Sequence, residues 1–235
     1  MKGSCYVIIS VILVISAISC KKTDDSKGFS DDIKNFVPDS TIQSLRDLGM
    51  SINEGKNPPD IEGYFLAKPL VMKASSVPDE SHNEYSYWYD QRYHVYNQNK
   101  DALTVDVEID GLDAGGNVRS HSVGNGTFIS GNDDYFSTFT IQEGEEYTGT
   151  DTAYYKWLEV VSGTITEDGI RQYQMALLML DDYDDPYDIY IPVNTGRVFV
   201  DGDSLAERTS AELKLLRIKS DNRPVIHEAI STGQK

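Results

Sequence analysis

Residues 153–181 read AYYKWLEVVSGTITEDGIRQYQMALLMLD. Two runs rich in valine, isoleucine, tyrosine and leucine flank Asp168-Gly169, and both alternate in polarity. Asp-Gly suits the positive φ of a type I′ turn, so the stretch predicts a β-hairpin. The same texture begins at Ile61 and continues with turn dipeptides about every ten to fifteen residues. Further strands are expected at 62–73, 84–97, 103–110, 117–129, 135–142, 153–166, 169–181, 188–193 and 197–200. Their connections carry turn chemistry: Asp113 to Gly116, Asp133-Asp134 and Glu143-Gly144. The fold class is therefore all-β. Long antiparallel strands in chain order close most economically into a meander barrel, which leaves no exposed edge. A two-sheet β-sandwich is the alternative. Residues 206–216 fit a closing helix or a last strand, and 220–235 a loose tail.

On the N-terminal side, Pro38-Asp39-Ser40 is a stop-and-cap sequence. Ile42, Leu45 and Leu48-Gly49 then give one apolar stripe, so a short helix is expected. Gly55-Lys56-Asn57-Pro58-Pro59 forces a turn, because two prolines fix φ and remove donors.

The first residues carry an address. Lys2 supplies a positive charge, residues 6–15 are apolar except for Ser10, and the small residues Ser16, Ala17 and Ser19 precede Cys20. The apolar run is too short to span a bilayer and reads as a signal-peptide core over residues 1–19. Ala17-Ile18-Ser19-Cys20 resembles the lipobox of bacterial lipoproteins, which implies cleavage before Cys20 and acylation of its thiol. The acyl chains would hold the protein on a membrane that its polypeptide does not enter. Residues 20–37 are then a tether and 38–219 the folded domain. Asp24-Asp25 beside Lys21-Lys22 resembles the surface-export signal of Bacteroidetes lipoproteins, which implies an outer-membrane location facing outward. A merely solvated linker is the alternative.

Removing residues 1–19 takes away one cation, so 20 basic side chains face 38 acidic ones, a net of −18 against −17 for the whole chain. Such a surface repels nucleic acid and anionic headgroups but excludes no sugar, cation or neutral apolar ligand. The only cysteines are Cys5 and Cys20. With Cys5 cleaved off and Cys20 lipidated, no disulfide remains, and a full hydrophobic core must hold the fold.

At Asn57 to Phe65 (NPPDIEGYF) the chain resembles a group of Bacteroidetes lipoproteins with a lipocalin-like (calycin-type) fold. The likeness extends through Val161-Ser162-Gly163-Thr164 and Asp168-Gly169-Ile170. Lipocalins open their first strand with G-x-W, whose aromatic plugs the closed end. Here the match is Gly63-Tyr64-Phe65, without tryptophan. Thr150-Asp151-Thr152-Ala153-Tyr154 loosely echoes a lipocalin turn, and Arg217 is the expected cation over the first-strand aromatic. The resemblance implies small apolar ligands held inside the barrel.

No catalytic motif shows. His82, His94, His121 and His227 have no metal-ligand spacing, and Ser162 does not sit in a nucleophile elbow. Neither cofactor nor metal is expected. Residues 181–188 (DDYDDPYD) lack the spacing of a calcium loop and read as a solvated acidic turn. The aromatic stretch from Tyr85 to Tyr96 is the functional signal. By strand alternation Tyr87 and Tyr89 share one face and Trp88 takes the other. The expectation is that Tyr87 and Tyr89 line a ligand pocket, with Tyr64 nearer its closed end. Function is thus read as non-catalytic binding of a small or mid-sized ligand. A surface glycan-binding or adhesive protein is the alternative, favoured if Trp88 and tyrosines form an exposed row.

Overall fold

The computed structural model describes residues 27–148 and 151–210. Cys20, Lys21-Lys22, Asp24-Asp25, Thr150, Arg217 and the expected tail lie outside them. Two helices, α1 (Asp31–Phe36) and α2 (Asp39–Asp47), precede the strands. Strands β1 (Lys56–Asn57), β2 (Gly63–Ala67), β3 (Leu70–Ser75), β4 (Asp90–Asn99) and β5 (Thr104–Leu112) follow. Then come β6 (Val118–Asn132), β7 (Tyr135–Thr148), β8 (Asp151–Ile165), β9 (Gly169–Asp181), β10 (Gly196–Asp201) and β11 (Leu205–Thr209). The all-β expectation holds.

From β4 to β9 each strand pairs antiparallel with the next in chain order. β11 then bonds β9 on one side and β2 on the other, and β2 bonds β4. Hydrogen bonding thus runs in a ring through eight strands: β2, β4, β5, β6, β7, β8, β9 and β11. β3 and β10 extend β2 and β11 beyond two bends and pair with each other. The first bend falls at Lys68-Pro69, since Pro69 has no N–H for the ladder.

The two faces of the ring carry different cores. Phe65, Tyr93, Val107, Tyr155, Tyr173, Met175 and Phe199 belong to the inner one. The outer one covers β7 to β10, where Phe139, Val160, Ala176 and Val198 meet Phe29, Ile33, Val37, Ile42 and Leu45 from the helical segment. Residues 28–37, read as tether, thus form structure. Ser30 caps α1 by accepting from Ile33 N at 3.3 Å, and Phe29 meets Phe139 edge-on at 5.5 Å between centroids. Burying such apolar side chains contributes roughly 1.5–3 kcal/mol each.

The 153–181 hairpin forms with its turn one residue early. Thr166 and Gly169 exchange both backbone hydrogen bonds, at 2.8 and 3.3 Å, leaving Glu167-Asp168 as the loop. Gly169 instead opens β9 at φ +146°, and a Cβ there would lie 2.1 Å from Ala206 O. The glycine serves ring closure, where β11 crosses the start of β9. Residues 188–193 form no strand, and 205–209 resolves the closing segment as β11.

Candidate functional site

Alternation along β7, β8 and β9 points Thr138, Thr140 and Gln142, then Tyr155, Trp157, Glu159 and Val161, then Tyr173 and Met175 to the inner face. Thr140 stands directly opposite Glu159, and Gln142 opposite Trp157. Gln142 and Glu159 are therefore diagonal neighbours on one face, within reach of one small molecule.

The tyrosines around this layer find partners in the wall. Tyr93 and Thr138 share a hydrogen bond of 3.1 Å, Tyr173 donates to Gln91 Oε1, and the Tyr155 hydroxyl bonds Ser122. The groups between them do not. Gln142 Nε2 and Oε1, Trp157 Nε1 and Glu159 Oε2 are buried without a hydrogen-bond partner, as is the Tyr190 hydroxyl above them. Glu159 is 1% exposed, and burial pushes its carboxyl up to about 8, so it is mostly protonated at neutral pH. Leaving such groups unpaired costs on the order of 1–3 kcal/mol each. Buried polar groups of this kind ordinarily hold water or a ligand.

Each end of the interior is stoppered. At one, the Arg208 guanidinium lies 4.8 Å over the Phe65 ring, and its Nη1 donates to Glu62 O at 3.0 Å. At the other, Trp88 packs on Phe199 at 5.3 Å, with the Arg197 guanidinium 4.8 Å from the indole. Arg197 is held by Glu80 at 2.7 Å. Burial alone would raise Glu80, but hydrogen bonds from Arg197, Ser75 and His82 outweigh it and keep the carboxyl well below the usual range. Tyr190 and Ile191, after the acidic loop, join this second stopper, Tyr190 meeting Tyr155 at 5.6 Å.

The expected pocket residues are redistributed. Tyr87 is 77% exposed on the outside, while Trp88 turns inward, the reverse of the expected parity. Residues 85–89 do not form a regular strand: Tyr85 sits at φ +63° and only Tyr87 makes a bridge, to Val71. The large apolar indole then takes the interior position. Tyr89 reaches the rim, where its hydroxyl bonds Glu146 and Arg119. Tyr64 lies on the outer face, stacked on His94 at 3.9 Å, so the inward aromatic of Gly63-Tyr64-Phe65 is Phe65. Glu159 and Gln142 were missed. The signal was one acid on the same strand parity as Tyr155, Trp157 and Val161.

Two histidines that look scattered in sequence are gathered on the outer face by the pairing of β4, β5 and β6. His121 Nδ1 lies 2.7 Å from Asp110, whose other oxygen accepts from Arg92 at 2.6 and 3.0 Å. His94 and His121 flank Glu108 at 3.5 and 3.9 Å. Burial opposes ionisation of Asp110, but His121 and Arg92 prevail and keep its carboxyl low. The cleft beside this network has a volume of about 10 Å³, room for one water at most. Among the described residues no group of three or more His, Cys, Asp or Glu side chains is arranged to hold a metal ion. In the acidic loop, Asp181, Asp182 and Asp185 accept backbone N–H groups of Tyr183, Asp184 and Tyr190.

A mostly β protein with ring-like pairing and a polar layer in its interior is the class these features define. No known protein family, curated protein or solved structure matches the chain.

Proposed function

We propose that the protein is a lipid-anchored cell-envelope binder that encloses a small ligand in a lipocalin-like barrel and performs no catalysis. The observation that carries the reading is the buried set of Gln142, Trp157 and Glu159 polar atoms without partners, held in the middle of the inner face. A ring of eight strands has an interior suited to side chains plus one small ligand. Phe65 under Arg208 supports the likeness, since it supplies the aromatic and cation of a lipocalin closed end from β2 and β11. The ligand would combine an apolar body, against Tyr93, Tyr155 and Tyr173, with groups that accept from Trp157 and Gln142 and donate to Gln142 Oε1.

Titration of the folded domain with the neutral fluorescent probe N-phenyl-1-naphthylamine tests this. Saturable one-to-one binding is expected, weakened at least tenfold by Gln142→Leu and unchanged by Tyr87→Ala. Non-saturable fluorescence, or equal loss in both variants, would remove the interior reading.

A further inference from the structure

The outer face holds a second, independent feature. A cleft of about 480 Å³ crosses the wall where β7, β8, β9 and β10 run side by side. Registers define its floor. Ser162 pairs with Gln174 and Gln174 with Val200, and all three line the cleft, with Ser51 and Asn53 beside them. The three paired positions form a row perpendicular to the strands. With neighbouring strands about 4.8 Å apart, the row spans roughly 10 Å. Two exposed tyrosines stand beside the row: Tyr135 is 53% exposed and Tyr85 66%. Both line the cleft.

We propose that this cleft binds a neutral oligosaccharide lying across the strands. A cleft of about 480 Å³ has room for more than one sugar ring. Tyrosine faces give the apolar platforms on which sugar rings stack, and hydroxyls and amides between them match sugar hydroxyls. One of those groups awaits a partner: Ser162 is 1% exposed and lines the cleft, yet its hydroxyl has no hydrogen bond. The ligand is neutral because Asp201 lines the same cleft and the chain carries −17, which disfavour sulfated or uronate sugars. An extended peptide is the poorer fit, since strand addition needs a free sheet edge and this trough crosses paired strands. Tyr85, Gln172 and Ser204, all on the lining, hold left-handed φ values of +63°, +52° and +68°. Strained residues of this kind gather at binding sites.

The test is isothermal titration of the purified protein with cello-, malto-, manno-, xylo- and chito-tetraose, and with each monosaccharide. At least one tetrasaccharide should bind, and its monosaccharide at least tenfold more weakly. Tyr85→Ala and Tyr135→Ala should each lower that affinity about tenfold, and Ser162→Ala several-fold. Tyr154→Ala, an exposed tyrosine outside the cleft, should not change it, nor should Gln142→Leu, which reports on the interior. Thermal melts of each variant separate lost binding from lost folding. No binding by any tetrasaccharide would overturn the proposal. So would binding that Tyr85→Ala and Tyr135→Ala leave intact, or binding lost in Gln142→Leu alone.

Discussion

A carboxyl group that is 1% exposed, with burial as the cause of its shifted titration, makes the molecule sensitive to pH in a definite direction. Glu159 titrates at about 8 when folded, against an unfolded value near 4.5. The folded state therefore holds a proton that the unfolded state gives up. Its contribution is complete below pH 4.5 and is lost as pH rises through 8. Stability should fall over that window by roughly 3–5 kcal/mol from this group. Asp201, raised by burial to about 6, adds a smaller loss of the same sign that ends sooner. Glu159→Gln removes only the first part. Urea unfolding at pH 5, 7 and 9 should show the variant gaining on the parent as pH rises, and parallel curves would remove Glu159 as the cause. Glu159 was partly legible, being one acid at an inward parity. Its isolation was not, because the side chains around it, Tyr93, Gln142 and Tyr173 among them, come from other strands.

At the scale of elements, the 153–181 hairpin was legible because two runs rich in strand-forming residues flank a turn dipeptide. The role of Gly169 was not, because the clash that demands glycine comes from Ala206, thirty-seven residues on. Gly169→Ala should cost about 2 kcal/mol or more, since it combines a forbidden φ with a backbone collision. A melting temperature within one degree of the parent would contradict that role. Residues 85–89 show the opposite case. Their composition reads as strand, yet the pairing that would enforce alternation is confined to one bridge, so packing of Trp88 on Phe199 decides which ring goes in. Helix α1 escaped notice because six residues are too few for a periodic signal. Ile33→Ala should nevertheless cost about 2–5 kcal/mol, because Ile33 is fully buried against the outer face of the sheet. Denaturant melts give the figure, and a cost below 1 kcal/mol would mean that the helices rest only loosely there.

For the whole molecule, the all-β class was readable from strand texture and turn spacing, and closure of the pairing was readable only as the economical way to remove edges. What chain order could not reveal is that β10 pairs back onto β9 and carries β3 on its other side. The proposed attachment to the envelope rests on Cys20: Cys20→Ala should abolish labelling by a palmitate analogue and release the protein from the membrane fraction, and retained label would exclude the lipobox. The central claim concerns the interior, where Gln142, Trp157 and Glu159 hold buried polar atoms without hydrogen-bond partners. A high-resolution crystal structure of the protein purified under native conditions tests it most directly. Non-protein density within hydrogen-bonding distance of Gln142 and Glu159 is the predicted result. Side chains closed on one another with no such density would contradict it.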